Sequence, residues 1–163
     1  MKKINFLIRL KEEGKISLID ASDEIKESYI KKSAGSLKSA KILLESNQIE
    51  DAVPMAYYSM YNMLTALLFK IGIKCENHSA SIIILKELFG IDNSGISSAK
   101  TERVDKQYYV DFEITREEVE NLIKSAEQFN SMIYDFVDKL TIKLASEYKK
   151  ELGKSLQSST KTK

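Results

Sequence analysis

Apolar residues recur at helical spacing along most of the chain, and the longest such runs set its architecture. Between residues 116 and 140 the positions Val119, Leu122, Ile123, Ala126, Phe129, Ile133, Phe136, Val137 and Leu140 keep a 3.6-residue period. Thr115-Arg116-Glu117-Glu118 stands just before them as a capping box. The periodicity predicts one helix continuing to about Leu152, roughly 55 Å long at ~1.5 Å per residue. A second amphipathic stripe runs through Ile25, Tyr29, Ile30, Ala34, Leu37, Ala40, Leu43 and Leu44. Ser22 caps it and Asn47 ends it. Between them in sequence lies a run of another kind. From Met55 to Leu68 apolar residues wrap most of the helix circumference, so this helix is packed on more than one side, and the surplus suggests a contact with a second copy.

The remaining elements are shorter. Residues 3–13 form a helix candidate stopped at Gly14. Gly72 stops the central helix, and residues 73–77 read as a loop. His78 or Asn77 caps a helix that ends at Gly90; its Ile82–Leu85 run is β-prone alone, but its length and flanks favour a buried helix. Residues 91–98 read as a loop and 99–110 as a helix ending in Tyr108 and Tyr109. One proline and six glycines leave few breakers in the chain. The expectation is an all-α antiparallel bundle of five to six helices without strands, forming a single domain over residues 1–152. The polar segment 153–163 is expected to be disordered.

Composition adds limits. The 163 residues are 43% hydrophobic and 30% charged, with a net charge of +1. That is a globular balance without the global basic field of a dedicated DNA-binding protein. Only Arg9, Arg103 and Arg116 are arginines. Cys75 is the sole cysteine, which excludes an internal disulfide and a cysteine-cluster zinc site and fits a reducing, cytoplasmic location. The N-terminal segment has too few apolar residues for a signal peptide. No run reaches the ~20 apolar residues of a membrane span.

Chemistry concentrates near the end of the central helix. His78, the only histidine, is the one acid–base candidate that titrates near neutrality. Lys74 and Asn77 precede it closely. Arg103 is placed to contact phosphate, and otherwise to pair with Glu102, Asp105 or Asp111. Tyr57 and Tyr58 lie ~100° apart on their helix, so both cannot face the core; one is a candidate to stack on a base, as are Tyr108 and Tyr109. Without clustered carboxylates, one histidine makes no metal site, and no cofactor is expected.

The stretch that carries Ala56, Tyr57, Tyr58, Met60, Ala66, Leu67, Leu68, Gly72 and His78 resembles the core of the HEPN (higher eukaryotes and prokaryotes nucleotide-binding) domain family. Arg103 followed by Tyr108 and Tyr109 resembles a downstream arginine-to-tyrosine segment of its small prokaryotic branch. The resemblance covers residues 4–140. It implies a helical bundle, often homodimeric, commonly paired with a minimal nucleotidyltransferase as a toxin–antitoxin system. Many members are metal-independent ribonucleases with an arginine four to six residues before the histidine. Here Lys74, Cys75, Glu76 and Asn77 precede His78, and no arginine lies between Arg9 and Arg103. The expectation is therefore a nucleotide- or RNA-binding partner of a nucleotidyltransferase. The alternatives are an active ribonuclease using His78, or a helical dimeric adaptor without catalysis.

Overall fold

The computed structural model describes residues 2–157. Seven helices and two short strands follow in the order α1 (Lys2–Glu12), β1 (Ile16–Leu18), α2 (Asp23–Glu45), α3 (Ile49–Ile71), β2 (Ile73–Cys75), α4 (His78–Phe89), α5 (Ser94–Tyr108), α6 (Arg116–Lys139) and α7 (Ile142–Ser155). The all-α class holds. The helix count is higher than expected because the C-terminal helix is broken, and the start of α5 differs as well. Ser94 already begins α5, so half of the expected 91–98 loop is helical. The long C-terminal helix is broken at Leu140, whose extended backbone lets the Thr141 hydroxyl accept from the Leu144 amide and cap α7 anew. Leu140 and Leu144 keep helical spacing across this break, which is why the apolar pattern does not reveal it. Beyond Leu152, α7 continues to Ser155 and Leu156 is buried; the rest of the expected tail, 158–163, lies outside the described residues.

Strands do occur. Residues 73–75 pair antiparallel with 16–18, with Ile16 opposite Cys75 and Leu18 opposite Ile73. The turn into this ribbon is made at Gly72, in the left-handed region at φ 89°. A Cβ there would collide with the Ile19 carbonyl, and the Ile19 amide donates to the Gly72 carbonyl at 2.9 Å. Only glycine meets both conditions.

Helix α3 is the axis of the fold. Ala52, Val53, Ala56, Tyr57, Met60, Leu64, Ala66 and Leu67 have no exposed surface. Helices α2, α5 and α6 pack along it, and α4, α7 and β2 complete the cover. The apolar circumference that suggested a second copy is thus satisfied within the chain. Pro54 lies inside the helix and removes only the bond to the Glu50 carbonyl near its start. The capping box forms as expected: Thr115 accepts from the Glu118 amide at 3.2 Å, and Glu118 accepts from the Thr115 amide at 2.7 Å. No helix among the described residues is long and apolar enough to cross a membrane.

Candidate functional site

Tyr57 and Tyr61 are four residues apart and share one face of α3. That face meets the start of α4, where the chain emerges from the β-ribbon. Asn77 is the cap of α4, its side chain accepting from the Ala80 amide at 2.9 Å. This fixes His78 as the first helical residue. The imidazole is half-buried between the two tyrosines: the Tyr57 hydroxyl lies 2.8 Å from Nδ1, and the Tyr61 ring stacks on it at 3.7 Å between centroids.

From the other side comes α5. The Arg103 guanidinium lies 5.4 Å from the Tyr57 ring centroid and 5.8 Å from that of Tyr58, and Nη1 donates to the Tyr58 hydroxyl at 3.1 Å. The expected ion pairs with Glu102, Asp105 or Asp111 do not form. One turn earlier, Lys100 donates to the Ser79 hydroxyl at 2.6 Å, and one turn later Lys106 is paired with Asp51 at 2.5 Å.

Burial, then the positive charges of Arg103 and Lys100, holds the His78 imidazole below its ordinary pKa. Burial also pushes the Tyr57 hydroxyl well above the usual tyrosine range, so it stays protonated. This decides the tautomer. Tyr57 is fully buried, and His78 is its hydrogen-bond partner. An undonated phenol proton there would cost about 1–3 kcal/mol. Tyr57 therefore donates to Nδ1, and the neutral ring carries its own proton on Nε2. The site presents an N–H donor flanked by cations, an arrangement suited to an oxyanion.

The structure brings together His78, Arg103, Tyr57 and Tyr58. It separates the other candidates. Tyr57 has no exposed surface, so it acts on His78 rather than stacking on a base. Asn77 is occupied as a cap. Lys74 is exposed on β2 and paired with Glu76 at 2.8 Å. Tyr108 and Tyr109 are exposed at the far end of α5. Tyr61, Ser79 and Lys100 escaped the sequence reading. The signal for Lys100 was its spacing, one turn before Arg103 on the same helix face.

The class these features define is an all-α bundle with a single-histidine polar site at a helix start. The chain belongs to the HEPN domain family, whose model matches residues 26–136, more than half of its length. Every residue of the site lies inside that match. The chain is 36% identical over 90 residues to a UPF0332 protein of Pyrococcus horikoshii, a match spanning 55% of this chain and 58% of that one. It is 30% identical over 117 residues to a protein of Methanocaldococcus jannaschii named "Putative toxin", spanning 68% of this chain and 86% of that one.

Proposed function

We propose that this HEPN-domain protein binds RNA or a nucleotide at the His78 site and serves, in the cytoplasm, as the toxin-like member of a pair with a minimal nucleotidyltransferase, acting as a homodimer. The observation that carries the binding reading is the Tyr57–His78–Arg103 arrangement. Tyr57 turns the imidazole N–H outward, and Arg103 adds a charge that is paired with no carboxylate among the described residues. Tyr58 and Tyr61 offer partly exposed rings beside these donors. The similarity to a relative named as a toxin supports the pairing.

Retention of single-stranded RNA by the full-length protein tests this. Wild-type protein retains RNA, and Arg103→Gln weakens retention. Equal retention by both would remove the site from the reading. Capture of a nucleotidyltransferase in a pull-down tests the pairing, and light scattering tests the dimer.

A second reading, a metal-independent ribonuclease, is favoured by one observation. The His78 Nε2 faces no protein partner among the described residues, and in the alternative tautomer, with Nδ1–H donating to the Tyr57 hydroxyl, it has a free lone pair for the proton of a ribose hydroxyl. RNA cleavage in the presence of EDTA that is lost in His78→Ala supports this reading; cleavage unchanged by the substitution eliminates it.

A further inference from the structure

Several of the partly buried cations in this fold have carboxylate partners. Lys26 lies 2.9 Å from Glu27, Lys70 2.9 Å from Asp23 and Lys106 2.5 Å from Asp51. Lys100 and Arg103 have none, and unlike Lys149, which donates to the Ile19 carbonyl, they stand side by side. Both are partly buried, they lie one turn apart on α5, and both turn toward the start of α4. Their partners are neutral hydroxyls, Ser79 for one and Tyr58 for the other. The Arg103 Nε is buried with no partner at all. Two adjacent positive charges, partly out of water and uncompensated, are costly. Arg103 lies over the Tyr57 and Tyr58 rings of α3, which hold its position but carry no negative charge.

We propose that Lys100 and Arg103 form a clamp for a phosphoryl oxyanion beside His78. The inference deepens the RNA-binding reading by naming the group recognised and the residues that hold it. The ligand chemistry is a phosphate oxygen with at least one full negative charge, whether from a strand's phosphodiester or from a nucleotide's terminal phosphate. Arg103 contributes a planar fork and Lys100 a mobile point charge. An anion seated there also offsets the repulsion that the two cations exert on His78. The groups facing the imidazole are Tyr57 and Tyr61 from α3 and Lys100 and Arg103 from α5; none carries a negative charge. Occupancy of the clamp therefore raises the affinity of His78 for a proton, and the phosphate and the proton bind cooperatively.

His78 is the only histidine, so its ring carbon signal reports the site in the intact protein by NMR. The experiment titrates that signal with pH, alone and with dimethyl phosphate or AMP. Either probe is expected to raise the apparent His78 pKa. Lys100→Gln and Arg103→Gln each weaken probe binding about tenfold or more, the worth of one hydrogen bond to a charged group, and the double variant abolishes the shift. Lys31→Gln, an exposed substitution on α2, leaves it intact. A shift with both probes assigns the clamp to a phosphodiester, and a shift with AMP alone assigns it to a terminal phosphate. No shift with either probe, or the same shift in the double variant, overturns the proposal. Loss of RNA retention with the phosphate shift preserved would remove the RNA reading and leave the clamp standing.

Discussion

Two polar clusters lean on α3 from opposite sides, and they are built to different ends. Ser59 faces α2 and α6. Its carbonyl accepts from the Ser33 hydroxyl at 2.8 Å, and its own hydroxyl accepts from the Asn130 amide at 2.6 Å. All three side chains are buried and none is charged. Two residues to either side, at a rotation of ~200° on the helix, Tyr57 and Tyr61 face α4 and α5. There the groups are titratable or charged and, apart from the fully buried Tyr57, only partly buried. The first cluster fastens three helices together through two hydrogen bonds, with only the Asn130 Oδ1 left without a partner among the described residues. The second leaves an imidazole nitrogen and two cations with bonding capacity to spare. Within one core, polarity that serves the fold is neutral and hydrogen-bonded between helices, and polarity available for a ligand is charged and has no opposite charge beside it.

The comparison breaks most visibly at Asn130. Asn130→Asp would put a carboxylate into the first cluster and is expected to cost about 3–5 kcal/mol at neutral pH, the penalty for an uncompensated buried charge. Burial raises that carboxyl's pKa in the folded state, so the unfolded chain holds fewer protons. The deficit, read by urea denaturation, shrinks as pH falls toward ~4. The NMR titration of His78 should be unaffected.

Tyr57→Phe acts on the open cluster and is expected to cost about 1 kcal/mol. Its sharper consequence is chemical: Nδ1 loses its donor, and the His78 nitrogen shifts move from the Nε2–H tautomer toward a mixture. Unchanged shifts would mean that Tyr57 does not set the tautomer.

A smaller effect separates the clusters by pH. His78 has a lowered pKa when folded, so below about 6.5 the unfolded chain binds more protons. Stability is full above that pH and falls as pH drops through it. His78→Gln should flatten this part of the profile, and an identical profile in the variant would contradict the burial of the imidazole. The smallest effect on the site is expected from Lys106→Gln. It breaks the pair of the partly buried Lys106 with the exposed Asp51 at the compensated end of the same α5 face, worth about 1 kcal/mol, and it should leave RNA retention nearly unchanged.

Much of this architecture is legible in the chain. The central helix, the Gly72 stop, the Thr115 capping box and the apolar stripe of α6 are local signals with one physical reading each. Two features are hidden for stated reasons. The break at Leu140 preserves the apolar spacing, so only the Thr141 cap marks it. The β-ribbon joins three-residue strands whose paired residues lie far apart in the chain, from Leu18 with Ile73 to Ile16 with Cys75, and strands that short carry no periodicity. The site is half legible. His78 and Arg103 stand out because histidine and arginine are rare here. Their meeting does not, because it depends on α5 running beside α3. Lys100 is one lysine among many until that packing singles it out, and Tyr57 reads as core until its hydroxyl is seen to reach Nδ1.

The break before α7 and the packing of α7 on α4 give the site a mechanical support. Phe89, the last residue of α4, packs edge-on against Tyr148 of α7 at 5.0 Å and against Phe136 of α6 at 5.8 Å. His78 sits at the other end of that same twelve-residue helix. Helix α4 behaves as a strut with one end clamped by aromatic rings and the other holding the imidazole. Half of the clamp comes from a helix beyond the family-matched segment. A change at Tyr148, one helix length from the site, would therefore be felt at His78 as a change of aim.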